Sequence, residues 1–251
     1  MENLQSDHLD TQNLYRDMQK RTGGEIYIGV VGPVRTGKST FIKRFMDVAV
    51  LPYMEDAAQK TRAQDELPQS AGGRTITTTE PKFIPQEAVE LKLAGEVTIR
   101  VRLVDCVGFM VEGAAGHLED GAERLVKTPW YDHEIPFTQA AELGTRKVIT
   151  DHSTIGVVVT TDGSFSDLPQ ETYLDAENQA ISELKKLHKP FLVLVNSSHP
   201  SSRTAREAAE RIEKQHSVAA MPVNCAQLSE EDIRQIMEQI LYEFPVSRVE
   251  N

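Results

Sequence analysis

Gly32-Pro33-Val34-Arg35-Thr36-Gly37-Lys38-Ser39 fits G-x-x-x-x-G-K-[ST], a spacing that cradles phosphate when it lies between a strand and a helix. Each residue type has a chemical reason. Glycines let backbone N–H groups turn inward on phosphate oxygens, the following helix adds its positive N-terminal dipole, and Lys38 pairs with the β and γ phosphates. Ser39 offers a hydroxyl to Mg²⁺, and Thr40 completes the expected contacts of the loop. Farther on, Asp105-Cys106-Val107-Gly108 closes an apolar run. Asp105 is then placed to hold the metal, and Gly108 to donate its backbone N–H to the γ-phosphate.

Between these two motifs, "GGRTITTTEPKF" carries Thr75, Thr77, Thr78 and Thr79. A threonine hydroxyl or carbonyl can complete a Mg²⁺ shell while its N–H meets the γ-phosphate, so this group is expected to hold a γ-phosphate sensor. A guanine-reading site would carry N-K-x-D after the apolar run 189 to 196. This chain has Asn196-Ser197-Ser198-His199, without the lysine or the aspartate. Losing an acceptor pair removes the main reason for guanine preference, so Asn196 is expected to contact either ATP or a loosely selected base.

Two further residues bear on rate. Phe109 follows the second motif where signalling GTPases place a water-orienting glutamine, and Val34 adds bulk where they have glycine, which is expected to crowd the side from which an activating arginine enters. Slow turnover is expected, helped by Thr78 or Thr79, or by Arg35 or Arg74 acting across a subunit contact.

The elements that must position these residues follow from periodicity. β-Branched runs at 25 to 31, 97 to 105, 154 to 162, 189 to 196 and 217 to 224 alternate with helical patterns at 38 to 49, 137 to 151, 169 to 188, 203 to 215 and 228 to 243. That alternation predicts an α/β fold, a three-layer P-loop NTPase domain with a mostly parallel sheet. "AVELKLAGEVTIRVRLVD" alternates on both sides of Gly95, predicting a hairpin that contributes the antiparallel strand. The expected organisation is an N-terminal helical segment over 1 to 24, the nucleotide domain over 25 to 246 and a tail over 247 to 251. The stretches 52 to 80 and 108 to 136 lack periodicity and read as long functional loops.

Composition removes several alternatives. The chain has 251 residues, with 27 basic against 38 acidic and a formal charge of −11. This argues against a nucleic-acid partner, which requires clustered positive charge. No apolar run approaches the roughly 20 residues of a membrane span, and no signal peptide opens the chain, so a cytoplasmic location is expected. Cys106 and Cys225 lie at no metal-ligand spacing and read as packing thiols. "KTPWYDHEIPF" carries the single tryptophan, Trp130, either as an interface contact or as a packing residue.

The strings "RTGGEIYIGVVGPVRTGKSTFIKRFM", "RAQDELPQSAGGRTITTTEPKF", "RLVDCVGF", "TPWYDHEIPF", "AAELGTRKVITDHSTIGVVVTTDG" and "LYEFPV" resemble the nucleotide-binding domain of the stage IV sporulation protein A family. The resemblance spans about residues 15 to 246. It implies an ATPase of translation-factor-like GTPase lineage that uses Mg²⁺ and ATP to assemble a homopolymer at the forespore surface, on the mother-cell side. It also implies that Lys38 is the phosphate-loop lysine, Asp105 the second-motif aspartate, and Thr78 and Thr79 the sensor threonines. In the full-length family the implied partners include a small amphipathic membrane peptide and other coat proteins. Two readings stay open beside the ATPase: a structural coat subunit that needs no turnover, and a GTP-dependent switch.

Overall fold

A computed structural model of the chain describes residues 13–68, 79–93, 97–114, 118–119, 121–166 and 168–244. Helix α1 covers 13–22 and leads into strand β1, Glu25–Val31, which the phosphate-binding loop joins to α2, Lys38–Phe45. After α3, Ala57–Asp65, strands β2, Lys82–Leu93, and β3, Val97–Asp105, run antiparallel. Short pairs follow: β4, Leu118–Glu119, with β5, Ala122–Glu123, and β6, Leu125–Thr128, with β7, Tyr131–Pro136. The remaining order is α4, Phe137–Asp151; β8, Ile155–Thr161; α5, Leu174–Lys186; β9, Phe191–Asn196; α6, Arg203–His216; β10, Ala220–Val223; and α7, Glu230–Tyr242.

The main sheet has the order β10-β9-β8-β1-β3-β2. All neighbours are parallel except β2 and β3, as the alternation of elements and the Gly95 hairpin predict. Buried strands in such a sheet are apolar on both faces. In β8, Ile155, Val157 and Val159 enter the core under α2 and α7, whereas Val158 enters the core under α4, α5 and α6. This period of two divides one continuous apolar run between two helical layers. Phe41 and Ile42 of α2 are fully buried; burial of such side chains contributes about 1.5–3 kcal/mol each.

Local chemistry sets the helix starts. Ser229 and Asp232 form a reciprocal capping box on α7, at the "SEED" sequence that predicts a start there. Asp56 accepts from the N–H groups of Ala58 and Gln59 to cap α3. The segment 52 to 80 is therefore not loop throughout. Its helix buries only Ala63, which leaves no apolar stripe for periodicity to detect. The segment 108 to 136 likewise holds two hairpins, and most of β7 is exposed on both faces, so no alternation marks it. Two other expectations shift at their edges: α2 passes into a π turn over Met46–Val50, and α5 is preceded by a 3₁₀ turn over Gln170–Tyr173.

Candidate nucleotide site

The carboxyl ends of β1, β3, β8 and β9 converge at the point where strand order reverses around β1, the position where open α/β sheets place ligands. The loop after β1 is fixed from two sides. Thr36 Oγ1 donates to the Val159 carbonyl of β8 at 2.6 Å, and a Cβ on Gly32 would overlap that same carbonyl. On the other side, Phe109 N–H donates to Gly32 O at 3.0 Å, and Val34 N–H donates to Phe109 O at 2.9 Å.

Lys38 opens α2, and its ammonium is buried, donating to the Pro33 carbonyl at 2.6 Å. Burial pushes its pKa below the usual lysine value, with Cys106 and Asp105 opposing. A buried ammonium held by a carbonyl gains from an anion beside it. A phosphate group therefore fits the space above this loop. Gly108 closes the opposite wall with φ 98°, and a Cβ there would overlap the Gly32 carbonyl and crowd Lys38 Nζ, so glycine is what lets the second motif pack against the loop.

Ser39 Oγ donates to Asp105 Oδ2 at 2.6 Å, and Cys106 N–H donates to Asp105 Oδ1 at 2.9 Å. Burial raises the Asp105 carboxyl above its usual range, while the Ser39 hydrogen bond and the Lys38 ammonium pull it down. A hydroxyl and a carboxylate side by side are hard oxygen donors suited to Mg²⁺, which binds one or two protein ligands together with substrate phosphates and water. The donor set fits that ion.

Arg35, Gly37, Lys38, Ser39, Thr40, Asp105 and Asn196 line one cavity of about 730 Å³, within the roughly 300–1,000 Å³ range of small-molecule sites. Other expected contacts stand behind it. Gly32, Pro33, Thr36 and Gly108 shape the wall through backbone and buried side-chain contacts. Val34 is a correction: it is buried against the α4–α5–α6 core beside Phe109, so its side chain does not crowd the approach of an activating arginine. Thr79 is buried with its carbonyl against Gly144 of α4, and it is the neighbouring Glu80 and Lys82 that line the cavity. Thr75, Thr77, Thr78 and Arg74 lie outside the described residues. Trp130 packs down, its ring edge 3.5 Å from where a Gly144 Cβ would stand.

Asn196 both lines the cavity and braces it. Its Nδ2 donates to Thr36 O at 2.9 Å, and its Oδ1 accepts from Cys225 N–H at 3.0 Å. Sequence reasoning missed Phe165, Asn224 and Ala226 in the lining. One signal was present for Asn224. The sequence repeats Val-Asn at 195–196 and 223–224, and because Val223, the last residue of β10, pairs with Asn196, Asn224 follows at the same end of the sheet.

With this geometry in place, the comparisons with known proteins agree. Residues 9–245 match the family described as stage IV sporulation protein A, ATPase domain. The chain is 50% identical over 237 residues to a stage IV sporulation protein A of Clostridioides difficile (strain 630), covering 94% of this chain and 48% of that one. It is 46% identical over 241 residues to the Bacillus subtilis (strain 168) protein of the same name, covering 96% and 49%. The chain thus spans about half the length of the curated relatives it matches. The phosphate-binding loop, the mostly parallel sheet and the family match together place the chain in the P-loop NTPase fold, as a member of the stage IV sporulation protein A family through its ATPase domain.

Proposed function

We propose that this chain binds Mg·ATP and hydrolyses it slowly, coupling turnover to self-association into a basement-layer polymer of the spore coat around the forespore. The observation that carries the reading is one juxtaposition. The buried Lys38 ammonium and the Ser39–Asp105 pair face a single cavity. Lys38 would neutralise phosphate charge that grows during transfer, and Ser39 and Asp105 would hold Mg²⁺, which when bound polarises the phosphoryl oxygens.

ATP is favoured over GTP because, among the described residues, the segments Asn196-Ser197-Ser198 and Asn224 of the cavity wall carry no carboxylate to accept two hydrogen bonds from a guanine edge. Slow turnover follows from Phe109, which is fully buried where a water-orienting side chain would be needed. Arg35 stands exposed at the cavity rim, in reach of a neighbouring subunit. A place on the mother-cell side of the forespore surface, with a small amphipathic membrane peptide and other coat proteins as further partners, belongs to the same proposal. Among the described residues no helix is long and apolar enough to cross a membrane.

The test is phosphate release with ATP and with GTP over a range of protein concentrations, repeated with Lys38→Ala and Asp105→Ala. Turnover that favours ATP, rises per subunit with concentration and is lost in both variants supports the reading. Faster release from GTP favours the switch. Assembly that survives in variants without turnover favours the structural subunit.

A further inference from the structure

Phe165 is 45% exposed and lines the same cavity as Lys38, Ser39 and Asp105. It sits on the loop after β8, and that loop is stitched down on both sides of the ring. On one side, Ser164 N–H donates to Asp162 Oδ1 at 3.0 Å, and Ser164 Oγ accepts from Ser198 N–H at 2.8 Å. On the other, Ser166 N–H donates to Gly163 O at 3.3 Å, and the Ser166 and Tyr173 hydroxyls are 2.5 Å apart. A large apolar ring is thus held half in water by a fixed backbone. Left uncovered, it forfeits the burial that such side chains ordinarily gain.

We propose that Phe165 is the stacking platform for the purine ring of the bound nucleotide. This rests on the nucleotide reading above and adds to it the residue that engages the base. The fixed points are two. Lys38 and the Ser39–Asp105 pair mark where phosphates go. The Ser164–Ser198 bond puts Phe165 beside the strand-end segment Asn196-Ser197-Ser198, where a guanine-reading motif would stand. Asn196 gives one amide hydrogen to Thr36 and accepts one from Cys225, so its side chain is fixed in the wall as a brace and stands without the lysine and aspartate of a guanine-reading motif. Stacking on a flat aromatic face needs no edge contact, and every base has such a face. It accounts for a site that grips a nucleotide without the aspartate that selects guanine.

The experiment compares two probes on the full chain, Mg·ATP and Mg·tripolyphosphate, by calorimetry. Tripolyphosphate reports the phosphate grip alone, and the difference between the probes reports the base. Phe165→Ala is expected to weaken ATP about tenfold or more, the range measured when an aromatic platform is removed, and to leave tripolyphosphate unchanged. Phe165→Trp should restore ATP binding. Equal losses for both probes, or no loss for either, overturn the platform while leaving the nucleotide reading intact. Wild-type chain that binds neither probe overturns both.

Discussion

The Thr79 carbonyl rests directly on the Cα of Gly144, in the middle of α4, with no room for a Cβ between them. Trp130 covers the same spot. One of the threonines expected to sense the γ-phosphate is therefore seated on a helix whose next neighbour is the chain's single tryptophan. Alanine within a helix is ordinarily worth about 1 kcal/mol over glycine. Here the obstacle is backbone, so overpacking at a cost of about 1–3 kcal/mol wins. Gly144→Ala should lower the urea midpoint, shift Trp130 emission and slow phosphate release. A more stable protein with unchanged emission would show that the seat is not tight.

Asn196 joins the phosphate-binding loop to the segment after β10 and is almost fully buried. Asn196→Ala strands the Thr36 carbonyl and the Cys225 N–H, each costing about 1–3 kcal/mol. A loss of about 2–4 kcal/mol in urea unfolding is expected, with weaker ATP binding as the loop loosens. Stability within 0.5 kcal/mol of wild type, roughly the effect of a surface substitution, would contradict the brace.

Asp105→Asn keeps an acceptor for the Ser39 hydroxyl and removes the metal-binding charge. Phosphate release should fall by about 100-fold or more, the scale for losing a group that stabilises transition-state charge. The Mg²⁺ concentration for half-maximal activity should rise. ATP binding measured without Mg²⁺ should hold or improve. An unchanged Mg²⁺ titration would remove Asp105 from the metal.

His152 and His216 are both held below the ordinary histidine value of 6.5, chiefly by burial. His152 stacks edge-on to Phe83 with ring centres 5.0 Å apart. A depressed folded pKa means that the unfolded chain takes up protons first as pH falls, so this stability is present above 6.5 and lost below it. The thermal midpoint should drop as pH falls from 7 towards the folded values, and His152→Phe should flatten part of that slope. A slope identical to wild type would assign it to other groups.

The succession of strands and helices along the chain, the loop with Lys38 and the place of Asp105 at a strand end were legible because they depend on short-range features. These are β-branched runs, one fixed spacing, and an acidic residue at a strand end. Exposed elements such as α3 and the β6–β7 hairpin were not, because they bury too little to impose a period. Expecting the bulk of Val34 to crowd an activating arginine failed for a related reason. The direction of a side chain in an irregular loop is set by the bonds of its backbone, here to Phe109.

By itself the sequence determined that a phosphate-gripping loop and an acidic strand end occupy one α/β domain, since those motifs are local and the apolar pattern leaves them at strand termini. Only the tertiary structure decided that Asn196 braces Thr36 against Cys225, that Gly144 seats Thr79, and that Phe165 lines the same cavity as Ser198. Each of these is a contact between segments far apart in the chain, fixed by which parallel strands lie side by side and in what register. Spacing along a sequence carries no record of that pairing.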